Sequence, residues 1–308
     1  MAGLAYVGTV CGAMPALSNS VDLGGGRVAA YEVVGLGEPL LYFQGGPGFS
    51  AALLRDDAEL LADRFAVHLI DPPGSGGSTP PSDPALYYHI GHARFYEDVR
   101  QALGVGTATI MGISFGGIVA LTYASLFPDA TTRCISVASR AVGAEIEGDE
   151  ATAEMEAFLD RHSHQQWYPA ARKTWDEWTE RVLAAHDARE VDEMMAEVLP
   201  LYTADPDRPG VRSLIEKWRR DMHSDLAAIK AWESGLWQTI DVRPLLAKIE
   251  RPTLVLVGAL DLICGPTQGR LIAQAVPGAQ LVVIPGSGHF IGAEAPEQFR
   301  AEILRFCA

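Results

Sequence analysis

The sequence predicts an α/β fold: a doubly wound, mostly parallel sheet interrupted by a helical insertion. Three observations lead there. Short, near-continuous apolar runs alternate with helical periodicity over residues 27–140 and again over 241–308, as expected for parallel strands covered by helices on both faces. The alternation breaks across residues 141–240, which are helical and poor in strands. A Gly112-Ile113-Ser114-Phe115-Gly116 pentapeptide stands between an apolar, β-branched run and a helical run.

In chain order, a strand over 27–34 follows the Gly24-Gly25-Gly26 turn, and a second spans 40–43. A helix over 52–64 leads to a strand over 66–70, and the Pro-rich stretch 79–84 is a loop. A helix over 91–103, a strand over 107–111, a helix over 118–127 and a strand over 133–138 complete the first block. After the insertion come a strand over 253–257, a helix over 266–275, a strand over 280–284 and a helix over 296–306. The core is therefore assigned to 1–140 and 241–308, with 141–240 as a helical cap, or lid, over the carboxyl edge of the sheet. All six tryptophans lie in the cap, together with 21 acidic and 11 basic residues. The tryptophans are expected mainly to pack the cap onto the core and onto itself, with one or two lining a pocket. The acidic residues are expected to form a solvated face.

The length of 308 residues suits one large domain with an inserted subdomain, and a hydrophobic fraction of 48% is ordinary for a globular enzyme. A net charge of −15 argues against nucleic acid and against an anionic membrane as partners. No run of ~18 apolar residues is present. The apolar stretch 1–17 has no basic residue ahead of it, unlike a secretory signal, so a cytoplasmic location is expected. Cys11, Cys134, Cys264 and Cys307 are far apart and form no C-x-x-C, which suits free thiols in a reducing compartment. There is no Walker loop, no His-Glu-x-x-His and no dinucleotide fingerprint, so neither a cofactor nor a metal is expected. The oligomeric state stays open, a homodimer included.

The pentapeptide carries the chemistry. A strand that turns into a helix through Gly-x-Ser-x-Gly is a nucleophile elbow, in which Ser114 takes a strained conformation at a helix N-terminus. A Cβ at Gly112 or Gly116 would collide across the corner. A serine hydroxyl needs a base and a group to orient that base. In this architecture the chain order is Ser, acid, His. Asp261 stands just beyond the strand that ends at 257, and His289 follows the last strand in Gly286-Ser287-Gly288-His289. The other histidines lie elsewhere: His68 in a strand, His89 and His92 at a helix start, and His162, His164, His186 and His223 in the cap. The alternative position for the acid, at Ala138-Ser139-Arg140, holds no carboxylate. Oxyanion donors are expected from the backbone N–H of Phe115 and of Gly46, the latter in the loop Gln44-Gly45-Gly46-Pro47-Gly48.

Four segments together resemble the α/β-hydrolase superfamily, and within it the proline-iminopeptidase-like branch. They are the Gln44 to Gly48 loop, Asp71-Pro72-Pro73-Gly74-Ser75-Gly76-Gly77-Ser78, the Ser114 elbow, and the Asp261 and His289 pair. The resemblance covers most of 27–140 and 241–308 and is weak across the cap. The family usually carries His at the position of Gln44, and iminopeptidases tend to have Trp at that of Phe115 and Glu at that of Thr179. The resemblance implies an α/β-hydrolase fold with Ser114 as nucleophile, His289 as base and Asp261 as its orienter. The expected substrate is a small carboxylic ester, lactone or amide, bound by Gln44, Gly45, Trp175 and Trp178. Two alternatives stay open: an aminopeptidase of the iminopeptidase type, and a non-hydrolytic receptor or natural-product cyclase on the same fold.

Overall fold

The computed structural model describes residues 17–143 and 148–308. Cys11 and residues 1–16 of the apolar N-terminal stretch lie outside the described residues. Eight strands form one sheet: β1 (Asn19–Gly24), β2 (Arg27–Val34), β3 (Glu38–Phe43), β4 (Phe65–Ile70), β5 (Ala108–Ile113), β6 (Thr131–Val137), β7 (Thr253–Gly258) and β8 (Gln280–Ile284), in the order β1-β2-β4-β3-β5-β6-β7-β8. β1 pairs antiparallel with β2, and β2 antiparallel with β4; all remaining pairs are parallel. The carboxyl ends of β3, β5, β6, β7 and β8 therefore open onto one edge, where ligands of open α/β sheets bind.

The first helices are α1 (Arg55–Glu59), α2 (His89–Ala102) and α3 (Phe115–Leu126). Between β6 and β7 lie α4 (Asp149–Asp160), α5 (Tyr168–Asp176), α6 (Trp178–Ala184), α7 (Ala188–Val198), α8 (Pro209–Asp221), α9 (Leu226–Ala231), α10 (Trp237–Thr239) and α11 (Arg243–Leu246). The last three are α12 (Pro266–Ala275), α13 (Ile291–Glu294) and α14 (Pro296–Cys307). One face of the sheet is covered by Tyr96 and Val99 of α2, Ile118 of α3 and Ile272 of α12; the other by Ala58 of α1 and Phe299 and Ile303 of α14. β5 and β7 are buried along their whole length, as strands covered on both faces must be.

The helices between β6 and β7 supply most of a third buried cluster. α7 buries Val191, Met194, Met195 and Val198, and α8 buries Val211, Leu214, Ile215 and Trp218, each at i, i+3, i+4 and i+7. A capping box of Asp187 and Glu190 starts α7. The cluster includes Phe49, Leu53 and Phe290 from loops at the sheet edge, which seats this segment over that edge.

Two elements differ from expectation. β1 precedes the glycine turn and pairs with β2; it alternates Val21 and Leu23 with polar residues, so it lacks the continuous apolar run of a central strand. The helix expected over 52–64 is a short 3₁₀ turn, Ala51–Leu54, followed by α1 alone. The chain leaves the helix early because 62–65 must run in backbone contact with Gly35 and Gly37, where a Cβ would lie 2.3 Å from Ala62 O and 2.2 Å from Arg64 O. Among the described residues no helix is long and apolar enough to cross a membrane.

Candidate active site

β5 ends at Ile113 and α3 begins at Phe115, so Ser114 alone makes the corner, with φ 56° and ψ −124°. Such a backbone costs a non-glycine residue roughly 1–3 kcal/mol and persists only where its surroundings enforce it. Here Ser114 N donates to Val137 O (2.9 Å), and Ser114 O accepts from Gly117 N (2.9 Å) and Ser139 Oγ (2.8 Å). A Cβ on Gly112 would sit 2.0 Å from Gly116 O, and one on Gly116 would sit 2.2 Å from Phe43 O. Both clashes are with backbone, which cannot yield. Phe115 N is the first N–H of α3 and has no intrahelical acceptor.

The loop after β3 lies against this corner. A Cβ on Gly45 would be 2.9 Å from Ile113 O and 3.0 Å from Ser114 Cβ, and Gly46 takes φ 55°. Gln44 is buried, and its Oε1 has no hydrogen-bond partner. Asp71 anchors the start of the 3₁₀ turn that follows this loop, accepting from Ser50 Oγ (2.7 Å) and Ala51 N (2.9 Å), and also accepts from Gly77 N (2.9 Å). Burial raises the Asp71 carboxyl above its ordinary range against these donors. A Cβ on Gly76 would lie 2.0 Å from Asp71 Oδ2, which accounts for the glycine there.

The loops after β7 and β8 meet. His289 Nδ1 lies 2.9 Å from Asp261 Oδ2, and the two side chains are 4% and 0% exposed. Asp261 Oδ1 accepts from Ile263 N (2.8 Å) and Cys264 N (3.0 Å), so the carboxylate cannot swing away. A carboxylate at Nδ1 sets the tautomer, leaving Nε2 as the acceptor nitrogen.

A cavity of about 310 Å³ is lined by both Ser114 and His289. Gln44, Gly45, Gly46 and Phe115 line it as well, and so do Trp175 and Trp178. The tryptophans correct an expectation: Trp175, Trp178, Trp218, Trp232 and Trp237 all line the cavity, and only Trp167 does not. The chain kinks at Gly235 (φ 124°) between Trp232 and Trp237, and both residues face the cavity.

Two carboxylates in the cavity wall have no counterpart in the sequence reading. Glu233, in the segment expected to carry only solvated acids, is 7% exposed and accepts from Trp178 Nε1 (2.9 Å) and Thr179 Oγ1 (2.7 Å). Burial raises its carboxyl, and the Thr179 and Trp178 donors oppose the rise. Its position between two tryptophans, Trp232 and Trp237, was the available signal. Asp57, in α1, accepts from Tyr42 Oη (2.8 Å), and burial pushes its carboxyl up to about 6. Cys134, Cys264 and Cys307 are buried, and among the described residues no cluster of His, Cys, Asp and Glu is arranged for a metal ion.

The sequence profile of the α/β hydrolase fold family matches residues 38–296, so the chain belongs to that family and is a hydrolytic enzyme. Its curated relatives include members of the proline-iminopeptidase-like branch. The proline iminopeptidase of Levilactobacillus brevis is 24% identical over 274 residues, 88% of either chain. The pimeloyl-acyl-carrier-protein methyl ester esterase of Chromobacterium violaceum is 28% identical over 264 residues, covering 84% of this chain and 89% of that one. Among solved structures, a thermophilic esterase from Thermogutta terrifontis superposes with a TM-score of 0.69 at 24% identity, covering 94% of this chain and 97% of its own.

Proposed function

We propose that this enzyme cleaves a small carboxylic ester, lactone or amide through an acyl-enzyme on Ser114, with residues 141–240 acting as the cap over the site. Ser114 Oγ attacks the substrate carbonyl carbon while His289 Nε2 takes the hydroxyl proton. Asp261 holds the imidazole in one tautomer and stabilises its cation. The N–H groups of Phe115 and Gly46 stabilise the oxyanion of the tetrahedral intermediate. The leaving group departs with the proton from His289. Water then adds to the acyl carbon by the same base and releases the acid. The aromatic wall favours an apolar acyl or leaving group.

The observation that carries this reading is a strained serine and an Asp-bound histidine facing one aromatic cavity. Ester cleavage by one relative and the peptidase name of another agree with it. The test is turnover of p-nitrophenyl acetate together with labelling by a fluorophosphonate. Absence of both in the wild type would reject a serine hydrolase and return the receptor or cyclase reading.

Glu233 favours a second reading, an aminopeptidase of the iminopeptidase type. A carboxylate held among tryptophans suits a protonated amine, by charge and by the ring faces around it. Thr179 stands where that family's glutamate would be, and here its hydroxyl bonds the carboxylate of Glu233. Turnover of prolyl-nitroanilide above that of p-nitrophenyl acetate would favour this reading.

A further inference from the structure

We infer that Glu294 is a positioning residue that latches the His289 loop to the cap, so that the base is aligned only while the cap is seated. The inference rests on His289 being the base and adds what holds it there.

Glu294 lies in α13, 4% exposed, and does not line the cavity. Its Oε2 accepts from Gly288 N (2.9 Å) and from Ala204 N of the cap (2.8 Å). Its Oε1 accepts from Phe290 N (3.2 Å). One carboxylate thus grips the residues on either side of His289 and a cap residue together. The N–H of His289 itself donates to Tyr202 O of the cap (2.8 Å). The two segments touch backbone to backbone: a Cβ on Gly288 would lie 2.6 Å from Tyr202 O and 2.8 Å from Ala204 N.

The acid loop is tied to the same cap residues. Arg161 donates to Thr203 O (2.9 Å) and to Leu260 O (3.3 Å), next to Asp261, and His162 Nε2 lies 3.0 Å from Thr203 O. Lifting 202–204 would therefore leave the His289 and Ala204 N–H groups without their acceptors and free both loops. Only a carboxylate has acceptor capacity for all three donors at Glu294. An amide has a single oxygen and turns an NH₂ toward at least one N–H.

The test uses the full chain. With p-nitrophenyl acetate, Glu294→Gln is expected to lower kcat about 10²-fold, the loss that a small misplacement of a reacting group brings. KM should stay within about twofold, since no substrate contact is removed. Amide hydrogen exchange at His289 and Ala204 should accelerate together. Arg161→Ala, which removes the bonds to Thr203 and Leu260 but leaves the Glu294 carboxylate in place, should accelerate the same two amides and lower kcat about tenfold. A Glu294→Gln enzyme that loses thermal stability but keeps kcat would overturn the inference, as would unchanged exchange at His289 in Arg161→Ala. The two failures are separable. If His289→Ala keeps full turnover, His289 is not the base, whereas if it abolishes turnover and Glu294→Gln does not lower kcat, only the latch fails.

Discussion

The two sides of the cavity are built on different rules. On the sheet side, each functional group sits at a strand end, and its place follows from backbone geometry. Ser114 occupies a one-residue corner that two glycines make room for, and Asp261 and His289 stand on adjacent loops after β7 and β8. On the cap side, side chains from α5, α6, α8 and the kinked turn at Gly235 converge without any shared backbone rule. The difference separates tasks. In the proposed mechanism bond breaking, which needs groups held to fractions of an ångström, uses the rigid edge, and recognition of the substrate falls to the helical layer.

Breaking the sheet side should cost most. Ser114→Ala is expected to lower kcat by about 10⁶-fold and to abolish fluorophosphonate labelling, with folding unchanged by circular dichroism. A loss below tenfold would remove Ser114 from the mechanism. Asp261→Asn should cost about 10⁴-fold, because the amide presents the wrong partner to the imidazole. Near-normal kinetics there would mean another group orients His289.

Gly46→Ala tests the oxyanion loop. The new Cβ would lie 2.5 Å from the Phe49 ring, and φ 55° is unfavourable for alanine. The displaced donor should cost roughly 10²–10³-fold in kcat with little change in KM; a change in KM alone would make the loop a binding element only.

On the cap side the effects should depend on substrate. Glu233→Gln is expected to lower kcat/KM for prolyl-nitroanilide by about tenfold or more while leaving p-nitrophenyl acetate turnover nearly intact. An equal loss on both substrates would show that Glu233 supports the cavity wall rather than the substrate.

The smallest effect belongs to Asp57, where the two sides meet. Burial raises its carboxyl from 3.8 to about 6 in the folded chain, so ionisation opposes folding. That penalty is full above pH about 6 and fades as pH falls toward 3.8. Asp57→Asn should therefore raise Tm by a few degrees near neutral pH and make little difference near pH 4, as read by thermal scans across pH. A Tm gain that persists at low pH would point to packing instead.

What could be read in advance follows the same division. The Gly112 to Gly116 corner is legible because strand, turn and helix are local patterns and the strain is imposed within five residues. The Asp261 and His289 loops are legible because parallel strands bring their carboxyl ends to one edge in a fixed chain order. β1 was missed because a half-buried edge strand carries only a weak alternation, Val21 and Leu23. The early end of α1 depends on contact with Gly35 and Gly37, about twenty residues away in the chain.

The sequence by itself determined the α/β architecture and the loops that carry the serine, the acid and the histidine, since periodicity and turn chemistry act over short stretches. Only the tertiary structure decided that five tryptophans line the cavity as well as packing the helical layer, that Glu233 is buried in its wall, and that Glu294 reaches Ala204. Those outcomes depend on how α4 to α10 seat on the sheet edge. That seating is settled by side-chain packing between segments far apart in the chain, and no local pattern encodes it.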